Sequence, residues 1–394
     1  MVNKRHTLLF AGDLVLGAEP ERYMAYINNL LDSCDFRMAH LEEPYLDEML
    51  ECANEFKLTS TLEPLVGRID LLTLAGNHFY DYGEAGVAAT VQWCEKKQIA
   101  HCGGGSNISE AKKPAFVEKD GLKIGVLAYN AVGPKYTFAT DTRGGVSYVN
   151  FTRAYVPEHL LDQTHTRLEN DIWDLKKPVH MDTGMMGFNF IDEVSCDEIC
   201  SEIAAAKDQC NLLIVYFHKG FVHQPSVVAP WEKFLSHRAI DNGADVVVSS
   251  HSHLARGIEI YKGRAIYHGL NNFICYVPQL SPLFKGKIPG DRNSDNEKWI
   301  KSRVERFGFV PDPDYPTYPF HPESIYCLAA KLIIENGSIA SNRLILLKVE
   351  KDGIPRVHGN TQTGREILDY IVKITKDAEL NARYKWEGDD IVIF

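Results

Sequence analysis

The amino-acid sequence predicts an α/β protein whose strands end at one common cleft. Strand and helix patterns alternate from the N-terminus onward. Short apolar segments rich in β-branched residues are typical of buried strands. Five such segments run directly into a polar or metal-binding side chain: Leu8–Asp13, Phe36–Glu42, Leu71–His78, Leu213–His218 and Asp245–His253. Because ligands of open α/β sheets bind beyond the carboxyl ends of strands, these five ends indicate a binding site.

The other elements follow from apolar periodicity and turn residues. The Asp120-Gly121 and Asn336-Gly337 dipeptides predict hairpin turns, and Gly243 stands where a helix should end. The predicted helices are Pro20–Leu31, Glu84–Lys97, Asp197–Lys207, Trp231–Asn242 and Arg365–Lys376, and the further strands are Lys123–Tyr129, Tyr326–Glu335 and Ile339–Glu350.

Two long irregular stretches, Asn130–Asp192 and Val277–Pro322, interrupt this pattern. Long irregular segments inside a compact enzyme are usually lids or binding loops. We therefore expect one functional domain over residues 1–394 with two inserted lid segments, at about 130–192 and 277–322. Arg143 and Lys219 are candidate substrate-binding residues that would contact an anionic group.

Composition and charge exclude several classes of protein. With 394 residues, 45% of them hydrophobic and 24% charged, the chain has an ordinary globular composition and can bury a large core. Its formal net charge is −11. This acidic balance argues against nucleic acid or an anionic membrane as a partner. The partner that we expect is a small-molecule or peptidic substrate. Whether the chain forms a homo-oligomer is left open.

The cellular compartment is predicted from what the sequence lacks. The N-terminus leads into the first strand without the apolar segment of a signal peptide, and no apolar run is long enough to span a bilayer. The nine cysteines contain no CxxC pair. Cys196 and Cys200 could form half of a metal site, but reduced thiols are the preferred interpretation. We expect a cytoplasmic protein.

His251-Ser252-His253 is the sharpest sign of a metal site. In extended backbone, side chains two residues apart share a face, so both imidazoles could point at one metal or at two adjacent metals. Asn77-His78 adds an amide oxygen for a metal and an imidazole for proton transfer. A mixture of imidazole, carboxylate and amide suits a divalent transition metal, for which Mn, Zn and Fe are all acceptable.

Each strand-end residue also has an ordinary structural interpretation. Asp13 could cap a helix, Asn77 could stabilise a turn, and His218 could be a hydrogen-bonded core histidine. Glu42 could be a surface carboxylate before Pro44. All of these residues share the same position at the end of a strand, and this common position favours a site.

In sequence order, these motifs resemble the poly-γ-glutamate capsule-synthesis (CapA) family. The matching elements are Asp13, His40-Leu41-Glu42, Asn77-His78, Asp81-Tyr82-Gly83, His218-Lys219-Gly220, His251-Ser252-His253 and Gly269-Leu270-Asn271-Asn272-Phe273. That family is similar to the calcineurin-like metallophosphoesterases. The resemblance therefore implies their fold, a four-layer α/β/β/α sandwich with a metal centre at the strand ends.

The resemblance also implies roles for individual residues. One metal would be held by Asp13, Glu42 and His253, with Glu42 in the position of a bridging carboxylate. The other metal would be held by the remaining three ligands, which are Asn77, His218 and His251. His78 would be the catalytic general acid or an electrostatic stabiliser. Two cations about 3.5–4 Å apart activate a water and stabilise developing negative charge.

The chain departs from the family pattern at four positions. Val15 stands where the phosphoesterases have a histidine ligand, so the first metal position lacks one donor. His40 replaces the usual Asn and could supply the missing imidazole, in which case its ring nitrogen would lie about 2.0–2.1 Å from a zinc-like ion. Lys219 replaces Trp and Ser252 replaces Pro. We expect one strongly bound metal, with a second absent or easily lost.

The function predicted from the sequence is that of a metal-dependent hydrolase. A metal-activated water would attack an amide bond, γ-glutamyl or peptidic, or a phosphoester bond, since a fold does not fix a substrate. The alternative is a non-catalytic accessory or binding protein for the synthesis of poly-γ-glutamate capsule polymer. A third possibility, a metal-free binding protein, is disfavoured because all six ligand positions are retained.

Overall fold

Two large β-sheets form the centre of the computed structural model, which describes residues 4–49, 57–157, 185–283 and 296–394. The strands are β1 Arg5–Val15, β2 Phe36–Leu41, β3 Leu71–Thr73, β4 Ala100–Cys102, β5 Gly104–Gly105, β6 Ala115–Lys119, β7 Leu122–Asn130, β8 Gly145–Val146, β9 Phe151–Pro157, β10 Met185–Ile191, β11 Leu212–Lys219, β12 Val246–His251, β13 Ile258–Tyr261, β14 Arg264–Tyr267, β15 Asn272–Cys275, β16 Tyr326–Glu335, β17 Ser338–Val349, β18 Pro355–His358, β19 Tyr384–Glu387 and β20 Asp390–Ile393. The α-helices are α1 Pro20–Ala25, α2 Asn28–Asp32, α3 Gly83–Lys96, α4 Ile108–Ala111, α5 Glu193–Lys207, α6 Pro230–Asp241, α7 Asn296–Phe307 and α8 Gln362–Asp377.

Both sheets contain a parallel half that ends at the same edge of the molecule. The first sheet has the order β19-β20-β17-β16-β1-β2-β3-β4, with β15 beside β1 and β18 beside β17. In it, β1 to β4 and β15 are parallel. The second sheet has the order β13-β14-β12-β11-β7-β6, and β7, β11, β12 and β14 are parallel. Two small hairpin sheets, β9-β10 and β5-β8, complete the pairing.

Strand alternation produces the four layers. Phe10 of β1 and Ile214 of β11 belong to one apolar cluster that fills the space between the sheets. The next residue along β1, Ala11, faces the opposite way and packs with Trp93 of α3. On the second sheet, Val215 faces outward into a cluster with residues of α5 and α6. Because both faces of each sheet are covered, the parallel strands are apolar throughout. The predicted α/β/β/α sandwich is confirmed.

The same alternation carries polar side chains onto the inner faces at the carboxyl ends of the strands. In β2 and β11, Met38 and Tyr216 belong to the inter-sheet cluster. His40 and His218, two residues further along, therefore face the same interior. On β12, Val248 lies in that cluster and Ser250 follows it. Each inner face is apolar along most of its length and becomes polar at the carboxyl ends of the parallel strands.

Strand β1 changes partner at Gly12. It pairs with β16 up to Ala11 and with β15 from Asp13, and its register with β2 shifts in the same region. The Asp13 N–H donates to the carbonyl oxygen of Asn271 at 3.0 Å. A Cβ on Gly12 would lie 1.8 Å from that same oxygen. Glycine at position 12 therefore allows the backbone approach that fixes Asp13.

Most elements predicted from apolar periodicity and turn residues are confirmed. These include strands β1, β2, β11 and β12, the outer-layer helices α5 and α6, and the hairpin turn at Asn336-Gly337. The third predicted strand stops at Thr73, so Asn77 lies in a loop rather than at the strand end. The predicted helix Pro20–Leu31 is divided into α1 and α2.

The irregular stretches contain regular structure that the sequence analysis did not predict. The first holds the β9–β10 hairpin, and the second holds α7. Residues 158–184 and 284–295 of these stretches lie outside the described residues. No helix in the described part of the chain combines the length and the apolar character required to cross a bilayer.

We predict that Gly12→Ala lowers the free energy of unfolding by about 3 kcal/mol, because the new Cβ overlaps the Asn271 carbonyl oxygen. Gly263→Ala is the control: it places a Cβ in open space at a φ of +76° and should cost about 1 kcal/mol. Chemical denaturation of both variants gives the comparison. Equal losses in the two variants would show that Gly12 is not needed for the partner change.

Candidate metal centre

The six predicted metal ligands meet at the edge where the parallel strands of both sheets end. They are contributed by β1, by the loops that follow β2 and β3, by the end of β11, and by the end of β12 with the turn behind it. Asp13, Glu42, His218 and His251 are buried, whereas Asn77 and His253 are partly accessible. They form two neighbouring groups, and the grouping is the one that the family resemblance implied.

The first group, named here the amide set, consists of Asn77, His218 and His251. The Oδ1 atom of Asn77 lies 2.7 Å from Nε2 of His218 and 3.0 Å from Nδ1 of His251. The two ring nitrogens are 3.1 Å apart. Ligand atoms that surround one zinc-like ion at about 2.0–2.1 Å are roughly 3 Å from one another. Three donor atoms thus converge at a spacing that suits one cation.

The second group, the carboxylate set, consists of Asp13, Glu42 and His253, whose ligand atoms all lie within 4.8 Å of one another. Nε2 of His253 is 3.4 Å from Oε1 of Glu42. Both carboxylate oxygens of Glu42 are buried and have no hydrogen-bond partner. A buried carboxylate without a partner is costly, and a coordinated cation removes that cost. The residues of this set therefore fit a divalent metal.

Hydrogen bonds behind the carboxylate set fix the orientation of His253. Tyr318 donates its hydroxyl proton to the carbonyl oxygen of Ser324 at 2.9 Å, so its oxygen accepts from Nδ2 of Asn272 at 2.7 Å. The other amide atom of Asn272, Oδ1, then faces Nδ1 of His253 at 2.8 Å. An amide oxygen only accepts, so His253 carries its proton on Nδ1. Its Nε2 atom therefore keeps a lone pair on the side of Glu42. Metal-ligating histidines commonly bind through one ring nitrogen while the other donates a hydrogen bond in this way.

Burial governs the electrostatics of both sets. Burial, together with the neighbouring charge of Glu42, raises the pKa of Asp13 to about 8. Burial also raises the pKa of Glu42 to about 7. The same loss of solvation lowers the pKa of His218, His251 and His253. The imidazoles are therefore neutral near pH 7, which is the form that binds metals.

The His-x-His element reaches both sets through a bent backbone. His251 has φ 109° and His253 has φ 50°, in the left-handed region that residues other than glycine rarely adopt. The expectation that the pair shares a face because its backbone is extended is therefore wrong. The left-handed turn directs His251 towards the amide set and His253 towards the carboxylate set, with ring centroids 6.4 Å apart. Strained conformations of this kind cost about 1–3 kcal/mol and cluster at functional sites.

His40 lies beneath the site between other rings. Its ring stacks on Tyr216 at 4.6 Å and its Nδ1 atom lies 3.0 Å from Oγ1 of Thr73. Its Nε2 atom is buried without a hydrogen-bond partner, beside Gly76. His40 groups with Asp13 and His218 rather than with Glu42 and His253. A role for His40 as the replacement ligand of the carboxylate set stays a prediction.

His78 lies at the rim of the centre. Its Nδ1–H donates to Oδ2 of Asp81 at 2.8 Å, and 46% of its side chain is exposed. Partial loss of solvation opposes the charged imidazolium, but the hydrogen bond and charge of Asp81, with the charges of Glu42 and Glu43, outweigh it and raise the pKa of His78 to about 10. His78 therefore presents its second nitrogen as a proton donor beside the ligands.

The two predicted substrate contacts occupy different environments. Arg143 donates to the carbonyl oxygen of Phe138 at 2.6 Å and lies over the ring of Tyr80, at 5.4 Å from the ring centroid. The contact with Tyr80 places Arg143 against the loop that carries His78, and its role as a substrate contact stays a prediction. Lys219 is fully buried.

Buried partners hold the ammonium group of Lys219. It lies 2.9 Å from Nδ1 of His268 and 3.6 Å from Oε2 of Glu232. Contact with a substrate would require Lys219 to leave both partners. This placement favours a structural role for Lys219 at the end of β11.

Several residues that border the centre are not predicted as site residues by the sequence. His223 is buried, and its ring lies 5.8 Å from that of His253 and 4.9 Å from those of Phe307 and Phe309. The ring of Phe320 is tilted against that of His253, with centroids 4.7 Å apart. No spacing in the sequence links these residues, because the contacts join segments far apart in the chain. Asn272 was included in a family element but had no assigned role.

Known proteins share sequence features with this chain. A family model described as "Bacterial capsule synthesis protein PGA_cap" matches residues 7–277. The capsule biosynthesis protein CapA of Bacillus anthracis is 23% identical over 291 residues, covering 69% of this chain and 60% of that protein. The PGA biosynthesis protein CapA of Bacillus subtilis (strain 168) is 23% identical over 283 residues, covering 67% and 62%. The matched region thus spans less than two thirds of each of these relatives.

Among solved structures, a phosphatase from Mycoplasma pneumoniae has a TM-score of 0.43 at 11% identity, covering 88% of this chain and 95% of that one. The calcineurin-like phosphoesterase YfkN from Bacillus subtilis has a TM-score of 0.38 at 12% identity, covering 95% and 98%. Similarity at this level adds nothing to what the strand order itself shows. The family model, in contrast, matches well over half of the chain, and the protein belongs to the bacterial capsule synthesis family PGA_cap.

Proposed function

We propose that this protein is a metal-dependent hydrolase that cleaves an amide bond, γ-glutamyl or peptidic, or a phosphoester bond. The observation that carries the proposal is Glu42, a buried carboxylate without a hydrogen-bond partner. It lies beside Asp13 and His253, and the amide set presents a second convergence of donor atoms next to them. Buried, unsatisfied ligand groups in this arrangement suit metal-assisted catalysis better than a purely structural role.

Each set would hold one divalent cation, Mn, Zn or Fe. Asp13, Glu42 and His253 would hold one ion, and Asn77, His218 and His251 would hold the other. When bound, such ions activate a water and stabilise negative charge that develops during hydrolysis. Imidazole, carboxylate and amide donors suit all three of these metals.

The residues of the chain itself orient the site and move a proton. Asp13 is held by the Ser250 hydroxyl and by the backbone N–H of His251, the latter at 3.3 Å from Oδ2. Asp81 fixes the ring of His78 through Nδ1. His78 can then donate from its second nitrogen to a leaving group, in the manner of a general acid. Its partly exposed position leaves room for a substrate to reach it.

Described parts of both insertions border the centre, which supports the proposal that they act as lids. In the first insertion, Tyr136 lies 6.5 Å from Tyr80, on the loop of His78. In the second, Phe320 contacts the ring of His253. The two insertions thus flank the site on its two sides, one near the proton donor and one near the carboxylate set.

The names of relatives bear on the choice of bond and on the alternative function. The name of the Bacillus subtilis relative refers to PGA biosynthesis, which favours a γ-glutamyl amide over a phosphoester. A Mycobacterium tuberculosis relative, 26% identical over 207 residues, is named a probable polyglutamine synthesis accessory protein. That name favours the second candidate, an accessory protein that assists polymer synthesis without catalysis.

Metal stoichiometry tests the weakened carboxylate set, which lacks a histidine at Val15. Val15 is buried in the apolar core on the helix side of the first sheet. We predict that titration of metal-free protein with Mn or Zn shows one tight site and a second that is much weaker or unfilled. Calorimetry measures both. Two equivalent tight sites would show that the missing histidine is no handicap.

We predict that wild-type protein loaded with Mn, Zn or Fe hydrolyses γ-glutamyl-p-nitroanilide or bis-p-nitrophenyl phosphate, and that His251→Ala loses most bound metal and this activity. Loss of one of the three ligands of the amide set should weaken metal binding strongly, while the fold should remain. Elemental analysis and release of nitroaniline or nitrophenol give the readouts, with His358→Ala as control. Metal retained at the wild-type level in His251→Ala would contradict the assignment. Metal binding without cleavage of either probe would favour the accessory role.

His78→Asn should separate catalysis from metal binding. The variant removes the proton donor but no predicted ligand, so we predict turnover at least about 100-fold lower, with metal content unchanged. Turnover on the probe that wild type cleaves and elemental analysis of the same sample provide the test. Unchanged turnover would show that His78 is not the general acid.

A further inference from the structure

We propose that Tyr216 and Ser250 are positioning residues that join the amide set and the carboxylate set through a one-way chain of hydrogen bonds. The inference rests on the proposed function, because it concerns the two sets that would bind metal. Neither residue is a predicted ligand. Both are buried, on the inner faces of adjacent strands β11 and β12.

The chain has three links. Nδ1 of His218 lies 3.0 Å from the hydroxyl oxygen of Tyr216. That oxygen lies 2.5 Å from Oγ of Ser250. The Ser250 hydroxyl in turn donates to Oδ1 of Asp13. The chain thus begins at a ligand of the amide set and ends at a ligand of the carboxylate set, and every member is buried.

Each hydroxyl has one proton, so all links run in the same direction, and an ionised Asp13, the form that would bind a cation, fixes that direction. Ser250 has one hydroxyl proton, and it is donated to Asp13. Ser250 must therefore accept from Tyr216 in the second link. Tyr216 also has only one proton, so it can only accept from His218. His218 must then carry its proton on Nδ1, and its Nε2 atom holds a lone pair.

This direction has a consequence for the amide set. The lone pair of His218 Nε2 faces Oδ1 of Asn77, another acceptor, at 2.7 Å. Two acceptors at this distance repel one another unless a cation or a proton from His251 lies between them. The chain therefore prepares the amide set for a cation through a contact with Asp13, which belongs to the other set. Occupation of one set and readiness of the other are coupled through Tyr216 and Ser250.

Packing holds the chain in place. Tyr216 and His218 are two residues apart in β11, so they share a face. The ring of His40 stacks on Tyr216 at an interplanar angle of 19° and contacts His218 at a centroid distance of 4.6 Å. Rotation of the tyrosine ring away from Ser250 would break this stack. In this arrangement His40 holds the ring of Tyr216 in place, a role that does not require His40 to be a metal ligand.

Two matched pairs of variants test the chain. Tyr216→Phe and Ser250→Ala each remove one hydroxyl link. Tyr129→Phe is the control for the first, because Tyr129 is equally buried in the same sheet but its hydroxyl bonds Glu202 at 2.7 Å. Ser249→Ala is the control for the second, because Ser249 is buried and its hydroxyl has no hydrogen-bond partner.

The first readout is the tautomer of His218 in metal-free protein, measured by ¹⁵N NMR of the imidazole at a pH above the pKa of Asp13, which is about 8, so that Asp13 is ionised. Wild type and both controls should show the proton on Nδ1, and Tyr216→Phe should lose this preference. The second readout is metal affinity by calorimetry. Loss of an outer hydrogen bond to a ligand typically weakens metal binding 10–100-fold, and we expect this range for Tyr216→Phe and Ser250→Ala, with the controls unchanged.

The double variant distinguishes a chain from two separate contacts. If the links act as one unit, Tyr216→Phe/Ser250→Ala should bind metal no more weakly than the worse single variant. Wild-type affinity in Tyr216→Phe, or an Nε2-protonated His218 in wild type, would overturn the inference. If wild type binds no metal, the proposed function fails, but the tautomer measurement still decides whether the chain exists.

Discussion

The central constraint of this structure is the burial of two carboxylates beside neutral imidazoles, at the carboxyl ends of the parallel strands of both sheets. Asp13 and Glu42 are both buried. The inner-face side chains a few residues before them in β1 and β2 are apolar. Glu42 finds no hydrogen-bond donor there. A protein interior tolerates such groups only when a cation or a proton compensates them. The convergence of histidine and asparagine donors beside them makes a metal the compensation that fits.

The surrounding fold can be understood as the means of holding this arrangement. Gly12 lets the chain cross from β16 to β15, so that Asp13 enters the site from a distorted strand. The left-handed residues His251 and His253 send two neighbouring imidazoles to different sets. Tyr216 and Ser250 then connect those sets across adjacent strands. Strain, a required glycine and buried hydroxyls are all concentrated within one edge of the sandwich.

Much of this arrangement could be predicted from the sequence, because strands with two buried faces have a clear local signature. Asp13, His218 and His251 were identified from their position after apolar runs, and family resemblance supplied the grouping of ligands. Long-range geometry had no such signature. The burial of Lys219 with Glu232 and His268, the bent backbone of His251, and the aromatic contacts of His223 each depend on segments distant in sequence. The helix α7 was missed because its apolar positions are few among charged residues.

The position of a bound metal is the most direct test of the proposed centre. Anomalous X-ray diffraction from crystals grown with Mn, measured at energies on either side of the Mn absorption edge, locates bound ions without reference to activity. We predict a strong anomalous peak enclosed by Asn77, His218 and His251, with any weaker peak beside Asp13, Glu42 and His253. Mn peaks that are absent from both sets, or that lie only at surface carboxylates, would contradict the assignment of the two sets as metal sites.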